Sequence, residues 1–223
     1  MDGQTIVWVL PTRSRTENCQ RFIEAWHTTN ASTPVHVRLD LDDPSLEILK
    51  SLPWPKEFTV FVGPRGGLRQ AINEIFELYP NEAWYGLLAD DLLPQTNKWD
   101  QLLIEAAGSN QIAYPNDGGK LLDLPTHPCV GGNLVRSIGW FGFPPCYHFF
   151  VDTVWQFLGK QLNNIHRLDN VIVEHLHYSL GKSAMDQTYQ ESSEKYKNDK
   201  RAYRDWCESD GKLLIARLQN DIY

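Results

Sequence analysis

The sequence predicts a single α/β domain, with a mainly parallel central sheet flanked by helices and a helical segment at the C-terminal end. Two observations support this fold class. Short apolar runs rich in β-branched residues alternate with segments of helical periodicity through the first half of the chain, as in parallel sheets with right-handed crossovers. The 223 residues are enough for one well-buried domain and marginal for two, and they contain no internal repeat or linker.

The first half of the chain alternates between strands and helices. In order, we predict a strand at 5–10, a helix at 17–29, a strand at 35–39, a helix at 44–52, a strand at 58–62, a helix at 68–79 and a strand at 84–89. Pro11 ends the first strand, and Thr16 is a candidate cap of the first helix. Pro53 ends the second helix, and the third helix carries an apolar stripe along one face.

The second half is less regular. Helices are predicted at 99–107 and 151–158, strands at 112–114 and 171–176, and an irregular stretch rich in glycine and proline at 116–145. From 184 to 218 the pattern is helical, with an interruption near Gly211. Tyr189, Tyr196 and Tyr203 recur every seven residues in this segment, which predicts one helix face packed on the domain.

Composition and charge exclude several classes of protein. With 42% apolar and 22% charged residues, the chain is an ordinary globular protein and not a disordered one. The formal net charge of −7 argues against a broad basic surface for nucleic acid. The apolar run at 6–10 is too short for a signal peptide or a membrane span, and the four cysteines lack a C-x-x-C pair that would indicate zinc. We therefore expect a cytoplasmic protein with no membrane association.

Polar side chains follow the carboxyl ends of the predicted strands, where ligands gather in parallel sheets. These clusters are Arg13 with Arg15, Asp40 with Asp42, Arg65, and Asp90 with Asp91. The planar guanidinium groups of the arginines could pair with phosphate oxygens. Arg65 and Arg69 also flank a predicted helix start, where backbone N–H groups favour anions.

The acidic pair after the fourth strand is a common way to hold a divalent cation beside a diphosphate. Because adjacent residues of an extended segment point in opposite directions, we predict that Asp91 binds the metal. Asp90 would then contact a ribose, or it would contact the metal-binding residue without binding the metal itself. The alternative is that the pair merely ends the strand and caps the next helix.

Two further motifs carry candidate chemistry. His175 and His177 share one face of a predicted strand and could add a nitrogen ligand to the metal, or they could be core histidines bonded to backbone carbonyls. Asp152 opens a helix after an aromatic loop and could be a general base if burial raises its pKa. Alternatively, the helix N-terminus alone explains an acidic residue at that position.

Six segments, taken in order, carry a resemblance to a known family. They are Pro11-Thr12-Arg13-Ser14-Arg15, Asp40 with Asp42, Gly67-Leu68-Arg69-Gln70-Ala71-Ile72-Asn73, Leu88-Ala89-Asp90-Asp91, His148-Phe149-Phe150-Val151-Asp152 and Val173-Glu174-His175-Leu176-His177. In this combination, from Thr5 to about Tyr189, the chain resembles the Rossmann-like GT-A-fold glycosyltransferases, especially compact enzymes of the family 2 type and their phage-encoded relatives.

The resemblance implies an inverting transfer of a sugar from a nucleotide-sugar, usually a UDP-sugar, to a hydroxyl acceptor. It implies that Asp91 and His177, or His175, bind Mn²⁺ or Mg²⁺, and that Asp152 deprotonates the acceptor. The donor-binding residues would be Pro11, Thr12, Arg13, Arg15, Asp40, Arg65, Arg69 and Asp90. The chain would comprise a nucleotide-binding half at about 1–110, an acceptor and catalytic half at about 111–185, and C-terminal helices at about 186–223. The acceptor would be a polysaccharide, a protein or a hydroxymethylated base of phage DNA, the last placing the protein in a host cytoplasm.

Two positions depart from the family pattern. The usual D-x-D reads Ala89-Asp90-Asp91, which leaves fewer carboxylates for the metal, and Asp152 lacks the family's preceding Glu. The first departure motivates an alternative in which a degenerate GT-A domain binds a glycan or nucleotide without turnover. A nucleotidyltransferase is a further alternative, disfavoured because the loop at 11–15 lacks the glycine-rich, lysine-containing sequence of that class.

Overall fold

In the computed structural model, which describes residues 5–119 and 123–222, a β-sheet runs through the protein and helices pack on both of its faces. The described strands are β1 (Ile6–Thr12), β2 (Val35–Asp40), β3 (Phe58–Gly63), β4 (Trp84–Leu87), β5 (Leu92–Pro94), β6 (Ile112–Asn116), β7 (Cys129–Gly131) and β8 (Ile165–His175). The described helices are α1 (Thr16–Thr28), α2 (Leu46–Lys50), α3 (Gly67–Leu78), α4 (Trp99–Ala107), α5 (Gly132–Ile138), α6 (Val151–Leu162), α7 (Gln187–Ser193), α8 (Tyr196–Glu208) and α9 (Asp210–Ile222).

The order of the strands across the sheet is β3-β2-β1-β4-β7-β6-β8-β5. Strands β1 to β4 are parallel, β7 is antiparallel to both of its neighbours, and β6 is parallel to β8. Within the part of the chain that the structure describes, six of the eight strands therefore run in one direction, with β5 and β7 reversed. The prediction of an α/β domain with a mainly parallel sheet is confirmed. The carboxyl ends of these six strands meet at one edge of the sheet.

The sheet separates two apolar cores because successive residues of a strand point to opposite faces. On one face, Trp8 of β1 packs against Trp99 of α4, with ring centroids 5.3 Å apart, and Trp26 of α1 meets Trp99 edge-on at 5.9 Å. On the other face, Val7 and Val9 pack among residues of α3, α5, α6 and α9. None of the helices in the described ranges is long and apolar enough to cross a membrane.

Several element boundaries differ from the prediction. The fourth strand ends at Leu87 and not at residue 89, so the acidic pair lies in a turn and not on an extended strand. Strands β5 and β7 were not predicted, because three residues are too few to show a periodicity, and pairing with β8 and β4 fixes them instead. The irregular stretch predicted at 116–145 contains β7 and α5, and its residues 120–122 lie outside the described ranges.

The C-terminal helical segment is divided twice. One break lies between α7 and α8 at residues 194–195, and the second lies at Ser209, two positions before the predicted interruption at Gly211. The first break separates Tyr189 from the other two tyrosines of the seven-residue repeat. Tyr196 and Tyr203 pack on Phe150, whereas Tyr189 contacts the acidic turn after β4.

A buried histidine of β2 makes the stability of the fold depend on pH. His36 is 6% exposed between the rings of Phe61 and Tyr79, and burial lowers its pKa to about 4. In the unfolded chain the pKa of this histidine is close to 6.5. Between pH 6.5 and about 4 the imidazole is therefore protonated in the unfolded state and neutral in the folded state, which favours unfolding. We expect this histidine to lower the free energy of unfolding by about 2 kcal/mol between pH 7.5 and pH 5.

Urea unfolding at the two pH values tests this expectation. His36→Gln should lose about 2 kcal/mol less stability than the wild type on acidification, because glutamine does not titrate. His27→Gln is the matched control, since His27 is exposed on α1 and should leave the acid-induced loss unchanged. Equal losses in His36→Gln and the wild type would contradict the assignment.

Candidate active site

A cleft of about 1050 Å³ opens at the edge where the carboxyl ends of the parallel strands meet. The loops after β1, β3, β4 and β6, the ends of β2 and β8, the start of α6 and one side of α7 line it. All but one of the side chains predicted as site residues line this cleft: Pro11, Thr12, Arg13, Arg15, Asp40, Arg65, Asp90, Asp91, Asp152, His175 and His177. Arg69 is the exception. It lies inside α3, its backbone N–H donates to the carbonyl of Tyr147, and it does not line the cleft.

Both carboxylate oxygens of Asp90 accept hydrogen bonds from other side chains of the protein. Its Oδ2 accepts a hydrogen bond of 2.6 Å from the Thr12 hydroxyl, and its Oδ1 accepts one of 3.1 Å from Arg15 Nη1. The side chain is 3% exposed, and burial raises its pKa, against the opposing effect of the Arg15 charge. Asp90 thus joins the loop after β1 to the turn after β4.

Asp91 is held differently. Its Oδ2 accepts a hydrogen bond of 2.6 Å from the hydroxyl of Tyr189, while its Oδ1 is buried and has no hydrogen-bond partner. The nearest side-chain nitrogen to Oδ1 is His175 Nε2, at 3.3 Å. Burial opposes ionisation of this carboxyl, yet His175, Tyr189 and Arg15 together lower the pKa of Asp91 below its usual value.

A second imidazole, that of His177, lies next to His175. The rings of His175 and His177 are 5.0 Å apart, and His177 Nδ1 pairs with the hydroxyl of Ser179 at 2.8 Å. Burial and the neighbouring His175 lower the pKa of His177, so its ring is neutral near pH 7 and can donate an electron pair. Among the residues that the structure describes, no three His, Cys, Asp or Glu side chains form a cluster that could hold a metal by itself.

A third histidine, which the sequence did not single out, completes this side of the cleft. His127 is 5% exposed, its ring meets that of His175 edge-on at 4.8 Å, and its Nδ1 has no hydrogen-bond partner. Burial lowers its pKa well below the usual value. It lies in the irregular stretch before β7, where no periodicity indicates which side chains face inward.

Helix α7 covers the cleft on the side of the acidic turn. Asp186 caps this helix and pairs with Arg15 through two contacts, of 2.8 Å to Nε and 3.1 Å to Nη2. The Arg15 guanidinium also lies 4.0 Å above the ring of Tyr189, and Glu191 forms an ion pair with Arg65. The sequence offered one signal for this element, an aspartate immediately before a helical segment.

Arg38 is a second residue that the sequence analysis missed. It is 3% exposed on β2, donates to Glu74 at 2.7 Å and to the Pro64 carbonyl at 2.8 Å, and lies 3.5 Å from Asp40. Its guanidinium passes so close to Gly63 that a Cβ there would lie 2.5 Å from Nη2, so any other residue at this position would force the Arg38 side chain to move. A charged residue inside an otherwise apolar strand is the signal that could have identified it.

Asp152 lies in the first turn of α6 and is half-buried. Within the described residues, its hydrogen bonds are accepted by Oδ1, from Thr153 N at 2.6 Å and from the Thr153 hydroxyl at 3.1 Å. Burial raises the pKa of this carboxyl, and the bonds from Thr153 only partly offset that effect. Its second oxygen is therefore a candidate proton acceptor in the cleft.

Carboxylates outnumber cationic side chains in the described lining of the cleft. Seven are acidic, namely Asp40, Asp90, Asp91, Asp117, Asp152, Glu191 and Glu194, and five are basic, namely Arg13, Arg15, Arg38, Arg65 and Lys195. Each of the four arginines already has a carboxylate partner. The cleft therefore has no surplus positive charge with which to bind a phosphate group.

No protein-family model and no curated protein matches this sequence. Solved structures nevertheless share its fold. A structure of S. aureus TarS that comprises residues 1–349 aligns with a TM-score of 0.58 and 13% identity, over 76% of this chain and 59% of the TarS chain. A second TarS structure aligns over only 36% of its own length. This chain therefore spans less than two thirds of TarS.

Two enzymes with bound ligands also share the fold. Glucosyl-3-phosphoglycerate synthase from Mycobacterium tuberculosis, in complex with Mn²⁺, UDP and phosphoglyceric acid, aligns with a TM-score of 0.58 and 14% identity over 80% of this chain and 74% of the synthase. The mannosyltransferase PcManGT from Pyrobaculum calidifontis, in complex with GDP-Man and Mn²⁺, aligns with a TM-score of 0.60 and 9% identity over 98% of this chain and 80% of that enzyme. The fold is therefore that of the GT-A glycosyltransferases.

Proposed function

We propose that this protein is a metal-dependent glycosyltransferase, which moves a sugar from a nucleotide-sugar donor, most simply a UDP-sugar, to a hydroxyl acceptor. One observation carries the proposal. Asp91 presents a buried oxygen without a hydrogen-bond partner 3.3 Å from the imidazole of His175, whose ring lies 5.0 Å from that of His177, in the cleft at the carboxyl ends of the parallel strands. Two proteins of the same fold bind Mn²⁺ together with a nucleotide or a nucleotide-sugar, which supports the extension to this chain.

The residues present fit a divalent cation. Asp91 would supply an oxygen and either His175 or His177 would supply a nitrogen, a mixed pair that suits Mn²⁺ better than Mg²⁺, which prefers oxygen. Because the described residues do not form a complete cage, oxygens of the donor would complete the coordination. A cation held there would neutralise the charge that develops on the departing nucleoside diphosphate.

The charge of the cleft supports this dependence on a metal. A diphosphate entering a cleft with more carboxylates than cations meets net repulsion. Arg15 and Arg65 could each bind a phosphate oxygen, but only in exchange for the carboxylate of Asp186 or Glu191. A divalent cation at Asp91 removes the repulsion, so we infer that donor binding requires the metal.

The base and ribose of the donor are proposed to lie at the ends of β1 and β2. There Pro11, Thr12 and Arg13 line the cleft together with Asp40. Asp40 lies 3.4 Å from Arg13 Nη1, and burial raises its pKa. Asp90 is proposed to hold Thr12 and Arg15 in place and not to contact the ribose, because both of its oxygens are already occupied.

Asp152 is proposed as the general base. Its free oxygen would accept the proton of the acceptor hydroxyl as that hydroxyl attacks the anomeric carbon, in a single in-line displacement that inverts the configuration. Burial raises its pKa towards the working pH, which improves a carboxylate as a base. Such a base contributes roughly 10²–10⁴-fold to the rate.

The acceptor is proposed to be a hydroxyl group of a polysaccharide or a protein. The alternative acceptor, a hydroxymethylated base of phage DNA, requires the protein to approach a phosphate backbone. The formal net charge of −7 and the acidic lining of the cleft oppose that approach.

A binding domain without turnover is the second candidate function. The observation that favours it is Ala89, which stands where glycosyltransferases of this fold usually have the first carboxylate of D-x-D. Such a domain would bind a nucleotide or a glycan in the same cleft but would not release nucleoside diphosphate.

Release of nucleoside diphosphate separates the two candidates. The protein is incubated with a panel of UDP-sugars and GDP-mannose, with Mn²⁺, with Mg²⁺ or with EDTA. We expect slow hydrolysis of one donor, faster with Mn²⁺ than with Mg²⁺ and abolished by EDTA, because water can replace the acceptor. Binding of nucleotide without release would favour the binding domain, and neither binding nor release would contradict both proposals.

A further inference from the structure

A carboxylate of α8 binds the loop that leads into α6. The Asp199 side chain is 3% exposed and accepts three backbone hydrogen bonds from consecutive residues. Its Oδ1 accepts from Tyr147 N at 2.9 Å, and its Oδ2 accepts from His148 N and Phe149 N, both at 2.9 Å. Hydrogen bonds to a charged acceptor are stronger than those between neutral groups, so this contact is a strong restraint on the loop.

The same loop is held from a second side. The carbonyl of Tyr147 accepts a hydrogen bond of 3.2 Å from Arg69 N in the first turn of α3. Gly67 of α3 has a φ of +78°, and a Cβ there would lie 2.6 Å from that carbonyl oxygen. The loop at 147–149 is therefore clamped between the start of α3 and the buried carboxylate of α8.

The clamped loop sets the position of Asp152. Phe150 follows it with a φ of +68°, a left-handed conformation that turns the chain into α6. The ring of Phe150 stacks on Tyr203 of α8, with centroids 5.1 Å apart and planes 13° from parallel. Asp152 comes two residues later in the first turn of the helix, so a change in the 147–149 backbone moves its carboxylate directly.

We propose that Asp199 is a positioning residue for sugar transfer, which acts by fixing the loop at 147–149 and thereby the carboxylate of Asp152. This inference rests on the proposed function of Asp152 as the base. Asparagine cannot fully replace Asp199, because even with its Oδ1 accepting from His148 N and Phe149 N, its Nδ2 would turn hydrogens towards Tyr147 N, which also needs an acceptor. A buried N–H group without an acceptor is costly, so the loop of such a variant would open towards solvent.

The test compares Asp199→Asn with Asp205→Asn, a control on the same helix whose exposed side chain pairs with Arg204. The first readout is residue-resolved amide hydrogen exchange. We expect the amides of Tyr147, His148 and Phe149 to exchange at least about 10-fold faster in Asp199→Asn, with the β1 and β4 amides unchanged. Wild-type protection of the three amides would overturn the proposal.

The second readout is steady-state kinetics with a donor that the wild type uses. We expect kcat for transfer to fall about 10- to 100-fold in Asp199→Asn, since displacement of a reacting group by about 1 Å can cost 100-fold. The donor KM and the Kd for UDP with Mn²⁺ should stay within about twofold of wild type. A loss of donor affinity in proportion to kcat would indicate general unfolding and would overturn a positioning role.

Asp199→Glu keeps the inference falsifiable if the asparagine variant does not fold. It retains the charge but displaces the carboxylate by one methylene, so we expect the same pattern of faster exchange and lower kcat, with smaller changes. Faster exchange with wild-type kcat would overturn the catalytic part of the proposal. A wild type that transfers no sugar would instead refute the proposed function, and the exchange data would still report whether Asp199 fixes the loop.

Discussion

Replacing Asp91 with asparagine is expected to lower Mn²⁺-dependent affinity for UDP by more than about 100-fold, because loss of even an outer partner of a metal ligand costs 10- to 100-fold. Asparagine is close in shape and can keep the hydrogen bond from Tyr189, so the fold should survive. The negative charge that would attract a cation is lost. Isothermal titration with UDP, with and without Mn²⁺, measures the effect.

Asp169→Asn is the matched control for this experiment. Asp169 is an acidic residue of β8 with an exposed side chain that pairs with Arg167, and it does not line the cleft. Its variant should bind UDP as the wild type does. If Asp91→Asn also retained normal Mn²⁺-dependent affinity, Asp91 would have to be removed from the metal site.

Replacing Asp152 with asparagine is expected to lower kcat for transfer by roughly 10²–10⁴-fold while leaving donor affinity unchanged. The base works only when it is deprotonated. Wild-type kcat should therefore rise with pH through the pKa of Asp152, which burial places above the usual value for an aspartate, and the variant should lack this rise. Rates of transfer from pH 4 to pH 9 measure both effects.

Asp123→Asn provides the control for Asp152, since Asp123 is an exposed residue that pairs with Lys160 of α6. It tests whether a change of charge near this helix is enough to alter the pH profile. A turnover close to wild type in Asp152→Asn would assign the base to another residue. A pH profile that shifts equally in both variants would exclude a direct role for Asp152.

The first half of the fold follows from local sequence, whereas the second half depends on pairing. Strands β1 to β4 were located from the sequence because each contains an apolar run, but two of their ends differ: β1 continues through Pro11 to Thr12, and β4 ends at Leu87. Strands β5 and β7 have three residues each, and the hydrogen bonds of a neighbouring strand specify them. Strand β8 begins at Ile165, earlier than predicted, because exposed polar residues occupy its first half.

In the candidate site, too, some features follow from local sequence and others depend on contacts between distant parts of the chain. The convergence of Arg15, Asp40 and Asp91 at one edge follows from the rule that parallel strands present their carboxyl ends together. That Arg15 already pairs with Asp186, 171 positions away, has no local signal. The burial of Asp199 likewise has no local signal, because a single acidic residue on a charged helix is normally a solvated one.

Helix α7 has a consequence for how strongly any donor can bind. Under the proposed function, Arg15 and Arg65 are the cationic groups that a nucleotide would use, and Asp186 and Glu191 of this helical segment occupy both of them. Binding then replaces internal contacts and does not simply add new ones. The observed dissociation constant equals the intrinsic one divided by the fraction of molecules in which the helix has moved aside. If the proposed function holds, contacts of α7 would thus compete with the donor, and the stability of this short helix would set the donor concentration at which transfer begins.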